Sequence, residues 1–139
     1  MAMATRDTAV GTHLPNISKS ISQPMIDRYG KVNNDTNLMH YDRAFAQQHG
    51  YRDAIGHGLM TFAFASEMLG RYFGPQWTLG GKVRIKFIAP VYPGDTITTG
   101  GQVTDSQAET DGQRLTVDIW CENQQGEPVL VGEANALVR

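Results

Sequence analysis

The longest apolar run of the chain falls between Gly58 and Phe73. There Leu59, Met60, Phe62, Phe64, Ala65, Met68, Leu69, Tyr72 and Phe73 recur at helical spacing on nearly every face. A helix that is apolar nearly all round has to be wrapped by other structure. Gly74-Pro75 stops it, because proline cannot continue a helix. Four strand-like runs follow, near residues 80–88, 95–106, 113–123 and 129–138. They are separated by Pro-Gly-Asp, Thr-Asp-Gly and Gln-Gly-Glu, all turn chemistry. Consecutive strands joined by tight turns predict a mostly antiparallel sheet.

Upstream the pattern is more broken. Leu14, Ile17 and Ile21 predict a first strand within 13–22, and residues 23–29 a short helix that tolerates Pro24 in its first turn. Turn formers at 33–37 end that helix, and a second short helix is expected over 41–48, closed by His49-Gly50. Residues 1–12 are small and polar and read as a mobile tail ahead of one domain over 13–139. The expected architecture is α+β, with an antiparallel sheet wrapped around a long central helix.

Composition narrows the classes. At 139 residues the chain has room for one modest core. A net charge of −2 gives no electrostatic reason to expect nucleic acid. Lys82, Arg84 and Lys86 alternate with Val83, Ile85 and Phe87, which predicts a strand with one buried and one solvated face. The competing reading is that one of these cations meets a phosphate. Cys121 is the sole cysteine, so no intramolecular disulfide is expected, and its apolar strand context predicts a structural thiol. No signal-like or membrane-spanning run is expected, which leaves a cytoplasmic protein as the default.

The chemistry concentrates between Asn33 and Gly58. Asp35 and His40 stand five positions apart in turn-forming sequence, and His57 precedes the glycine that opens the central helix. An acid/base pair facing a helix N-terminus suits reactions of carbonyl compounds. The pair moves protons while free backbone N–H groups stabilise an oxyanion. His13, His40, His49 and His57 show no recognised ligand spacing, so no metal is expected. No phosphate-cradling loop is present, so no nucleotide or redox cofactor is expected either.

Three segments carry a family resemblance. Tyr29 is followed by Asp35, Asn37 and His40 in register, then by Ile55-Gly56-His57-Gly58, then by Phe87-Ile88-Ala89-Pro90-Val91-Tyr92-Pro93-Gly94-Asp95. In that order the segments resemble the MaoC-like (R)-specific enoyl-CoA hydratases and dehydratases, over roughly residues 17–138. Leu38, Asn34 and Gly56 stand where the family pattern has proline, glycine and alanine. The resemblance implies a hot-dog fold and a hydro-lyase acting on an acyl-CoA thioester, with coenzyme A entering only as part of the substrate. It implies Asp35 and His40 as the catalytic pair, without deciding which is acid and which base. Gly58 is implied as the oxyanion donor, and Asn37 and His57 as supports of the loop and turn. Ser66 matches a serine some members hold near the pair, or else bonds to a preceding helical carbonyl.

Two other functions compete. A hot-dog thioesterase would use a carboxylate on the central helix, where Glu67 is the acidic residue. A non-catalytic acyl-binding subunit would have no need of both Asp35 and His40. Unpaired sheet edges in a single unit of this kind, together with the family's habit, predict a homodimer or a higher homo-oligomer.

Overall fold

The computed structural model describes residues 2–139. Strand β1 (Ser18–Ser20) leads into α1 (Gln23–Asn33), a 3-10 turn over Leu38–His40, and α2 (Arg43–Gln48). Helix α3 (Gly58–Phe73) and the short α4 (Pro75–Gly80) come next, followed by β2 (Lys82–Phe87), β3 (Thr96–Glu109), β4 (Gly112–Glu122) and β5 (Pro128–Val138). The strands form one sheet in the order β1-β3-β4-β5-β2, and every neighbouring pair is antiparallel. None of the helices among the described residues is long and apolar enough to cross a membrane.

The core follows from the period-2 pattern of the sheet. Leu115, Val117, Ile119 and Cys121 of β4 are all buried, and so are Ile97 and Val103 of β3 and Leu130, Ala134 and Ala136 of β5. They pack with Met60, Ala65, Met68, Leu69, Tyr72 and Phe73 of α3 in one cluster. The sheet thus curls round the long helix, as expected. The wrapping is incomplete, because Leu59 stays 60% exposed near the helix start.

Three local expectations change. Helix α1 runs on to Asn33, capped at its start by Ser22 accepting from the Met25 N–H. Asn34 ends it in the left-handed region (φ 54°), a conformation asparagine tolerates better than most residues. Pro75 both stops α3 and opens α4, occupying the first turn where a missing N–H costs nothing. Strand β2 has no buried face: Val83 and Phe87 are exposed and only Ile85 is half-buried. It lies at the sheet edge, paired on one side with β5, where Ile85 reaches the core and the Phe87 ring touches only the start of α3 on one side.

The segment read as a mobile tail is tied to the body. The Ala4 N–H donates to Tyr72 O at 2.9 Å, the Gly11 N–H to Val103 O at 2.7 Å, and the Val103 N–H to Thr12 O at 2.9 Å. Met1, which begins that segment, lies outside the described residues.

Candidate active site

The loop after α1 is built by side chains that bond to nearby backbone. The Asp35 N–H donates to Gly30 O at 2.9 Å, and Asp35 Oδ1 accepts from the Asn37 N–H at 3.0 Å. Asn37 Oδ1 in turn caps the 3-10 turn by accepting from the Met39 N–H at 3.0 Å. Such short-range bonds are what Asp and Asn do in turns. Asn37 therefore braces the loop, and it reaches His40 only through the backbone, its carbonyl accepting the His40 N–H at 3.1 Å.

His40 is oriented from a second loop. Its Nδ1 lies 2.7 Å from the carbonyl oxygen of Ile55. A carbonyl only accepts, so Nδ1 carries the hydrogen, and in the unprotonated ring Nε2 is left with a free lone pair. The Ile55 N–H donates back to Met39 O at 3.0 Å, and the Gly56 N–H to Val91 O at 2.7 Å. These bonds fix the approach of the chain to α3.

Three side chains converge there. Asp35 Oδ2 stands 3.8 Å from His40 Nε2 and 3.6 Å from His57 Nε2. Both spans are too long for direct hydrogen bonds, and a water lying between two such atoms can reach each. The two imidazoles stack at 3.9 Å between centroids, 26° apart, with Tyr29 against the far ring at 4.9 Å. His57 is buried, and burial, followed by the neighbouring His40, pushes its pKa below the ordinary value, with Asp35 pulling weakly the other way. Its Nε2 is engaged by the Tyr41 hydroxyl at 3.1 Å.

These same three residues offer ligand atoms within 4.8 Å of one another. The donor set suits a metal poorly. Tyr41 already occupies His57 Nε2, which leaves one carboxylate oxygen and one imidazole nitrogen uncommitted, fewer than the three protein ligands of a catalytic zinc site. Two acceptors facing a gap suit a hydrogen-bonded water.

Gly58 completes the arrangement. The residue before it, His57, gives α3 no side-chain cap, and its carbonyl accepts only from Met60 and Thr61, which leaves the N–H groups of Gly58 and Leu59 without a helical partner. With the helix dipole behind them they form a site for negative charge. Glycine also keeps this helix start close to β2, since a Cβ there would lie 3.0 Å from the Phe87 ring and push it aside. Two cavities meet at His40 and Gly58. One, of about 400 Å³, is lined by Ile55, Thr61, Phe87, Pro90 and Val91, and the other, of about 670 Å³, by Tyr29, Asp35, His57 and Leu59.

The fold thus brings Asp35, His40, His57 and Gly58 together, with Asn37 on the same loop. Ser66 is elsewhere. Eight residues beyond Gly58, about 12 Å along the helix, its Oγ accepts from Trp77 Nε1 at 3.1 Å, and it lines neither cavity. That correction was not legible, because α4, which supplies Trp77, was not expected. Glu67 is likewise remote from the pair, ion-paired to Lys19 at 3.2 Å and Arg71 at 3.1 Å. Tyr41 is the site residue that sequence reading missed.

A five-stranded antiparallel sheet curled round one long helix defines a hot-dog protein, and here an aspartate and two histidines gather at that helix's N-terminus. The MaoC like domain family matches residues 6–125, and the chain belongs to that family. A Rhodospirillum rubrum protein named (R)-specific enoyl-CoA hydratase is 30% identical over 123 residues, covering 88% of this chain and 83% of its own length. The solved (R)-hydratase from A. caviae involved in PHA biosynthesis superposes with a TM-score of 0.80 at 24% identity, over 96% of this chain and 98% of that one. A structure described as the monoamine oxidase regulatory protein of Archaeoglobus fulgius gives a TM-score of 0.85 at 21% identity, over 99% of this chain and 95% of that one. The last two likenesses speak for the fold alone.

Proposed function

We propose that this chain adds water reversibly to a trans-2-enoyl-CoA thioester, giving the (R)-3-hydroxyacyl thioester. The observation that carries the reading is the gap of 3.8 Å between Asp35 Oδ2 and His40 Nε2, opening beside the uncapped start of α3. The relative named (R)-specific enoyl-CoA hydratase supports both the reaction and its hand.

In this reading the thioester carbonyl accepts from the Gly58 N–H, which draws electron density from the β-carbon. A water held between Asp35 Oδ2 and His40 Nε2 attacks that carbon, and its O–H bond breaks as the new C–O bond forms. His40 Nε2 takes the proton, its lone pair having been kept free by the Nδ1–H bond to Ile55. The enolate then collapses and the proton passes to the α-carbon. Oxygen and both hydrogens come from one water, so no cofactor is needed and coenzyme A serves only as the substrate's handle. Asp35 orients the water and balances the imidazolium. One water on one face gives syn addition.

The thioesterase alternative loses support because Glu67 is neutralised by Lys19 and Arg71 and lines neither cavity. The assembly we propose is a homodimer through the β2 edge. Val83, Phe87 and Ile88 are 38%, 49% and 44% exposed on one chain, and the strand's outer backbone groups await a partner.

Incubation with crotonyl-CoA in D₂O, and separately with a saturated acyl-CoA, tests the reading. We expect loss of the enoyl absorbance, an (R) product with deuterium added syn, and no free thiol. An (S) or anti product would remove the shared-water mechanism. Thiol release would favour the thioesterase, and no turnover of either substrate would favour an acyl-binding subunit.

A further inference from the structure

Tyr41 joins the parts of the site that sequence reading treated separately. Its hydroxyl donates to the backbone carbonyl of Asp35 at 2.5 Å and faces His57 Nε2 at 3.1 Å. It occupies space that α1 leaves open by carrying glycine, since a Cβ on Gly30 would collide with that hydroxyl. The Gly30 carbonyl meanwhile accepts the Asp35 N–H. Both backbone polar groups of Asp35 are therefore held, one by α1 and one by Tyr41.

Proton counting extends the argument. A phenol has one hydrogen, and here it is given to the Asp35 carbonyl. The oxygen can then only accept from His57, which requires Nε2 of that ring to carry its hydrogen. His57 Nδ1 is left as a bare acceptor, and it is buried with no partner. Burial, then Asp35 and Asp27, push the Tyr41 pKa up, so the phenol keeps its proton. Without Tyr41, the nearest acceptor for the His57 Nε2–H would be Asp35 Oδ2, 3.6 Å away.

We propose that Tyr41 is a positioning residue for hydration: it clamps the Asp35 backbone and diverts the His57 N–H from the carboxylate, so that Oδ2 stays available to the water shared with His40. The inference rests on the hydratase reading above. It adds a tautomer and a role that the reading does not require.

The test is Tyr41→Phe in the full chain, with folding checked by circular dichroism. We expect kcat to fall about 10–100-fold, the size of effect that sub-ångström misplacement of a reacting group produces, with KM within about threefold. The pH profile should move as well. The groups facing His57 are Tyr29 from α1, Asp35 from the loop, and His40 and Tyr41 from the 3-10 turn and its cap. With Tyr41 gone, His57 turns to the Asp35 carboxylate, which favours the imidazolium, so the ionisation of His57 enters the acid side of the kcat profile and changes its shape. A kcat within threefold of wild type, or a loss uniform across pH, would overturn the proposal. Gly30→Ala, which displaces the hydroxyl without removing it, should reproduce the loss in kcat, and an unchanged rate there would count equally against it. Nitrogen-15 spectra of wild-type His57 give a readout independent of turnover. A ring protonated at Nε2 is expected, and one protonated at Nδ1 overturns the proposal. If the wild type hydrates no enoyl-CoA, the functional reading fails, and these spectra still decide how Tyr41 is bonded.

Discussion

Asp35 and Asp95 are both carboxylates in tight turns, and both fall in segments that resemble the same family. The structure uses them in opposite ways. Asp95 is 3% exposed, with Oδ2 accepting from the Tyr92 N–H at 2.9 Å, Oδ1 accepting from Gln124 Nε2 at 2.9 Å, and Arg52 3.7 Å away. Asp35 spends one oxygen on its own loop and leaves the other in a cavity, uncommitted, between two imidazoles. One closes the turn that leads from β2 into β3, and the other is kept for a reactant. What separates a structural carboxylate from a reactive one here is the count of unspent lone pairs.

The widest separation between them should appear in Asp35→Asn. We expect a loss of ~10²–10⁴ in kcat, equivalent to ~2.7–5.5 kcal/mol of barrier, with the thermal midpoint close to wild type. His40→Gln should match it. Retention of a tenth of wild-type turnover by either variant would end that residue's part in the mechanism. Asp95→Ala should do the reverse, losing about 1–3 kcal/mol of stability in denaturant melts as buried donors lose their acceptor, while the folded fraction keeps its kcat. A large kcat loss with normal stability in Asp95→Ala would erase the distinction.

A pH scan gives a smaller effect. His57 is held below its ordinary value of 6.5, chiefly by burial. Between that lowered value and 6.5 the unfolded chain binds a proton that the folded chain refuses, so stability rises with pH across this window and is lost on acidification. In His57→Gln the slope of stability against pH over this window should shrink. An unchanged slope would show that His57 is not the group responsible. The smallest change is expected of Glu67→Gln. Its partners Lys19 and Arg71 are at the surface, where such pairs contribute at most ~1 kcal/mol, and hydration should be unaffected.

Much of this was legible because one chain supplies both sides of the contact. The alternation of β4 announced its buried face, and the central helix declared itself by apolar residues that β3, β4 and β5 cover. Strand β2 carries the same alternation and misled, because at the sheet edge Val83 and Phe87 stay 38% and 49% exposed. The site divides along similar lines. Asp35, His40, His57 and Gly58 could be read from short-range spacing. Tyr41 could not, since its significance depends on Gly30, eleven positions earlier, leaving a gap of the right shape. Ser66 was misplaced for the matching reason, its partner Trp77 lying in a helix hidden behind a Gly-Pro stop signal.

Cys121 makes the molecule its own clock. The thiol is fully buried, its Sγ 4.0 Å from the carbonyl of Thr61, and burial pushes its pKa up to about 12. Almost no thiolate exists while β4 and α3 stay together, so a thiol reagent reacts only when that contact opens. The labelling rate in native buffer therefore times the opening of the central layer. A thiol-detecting dye added to an acyl-CoA assay will meanwhile register released coenzyme A against a silent protein background.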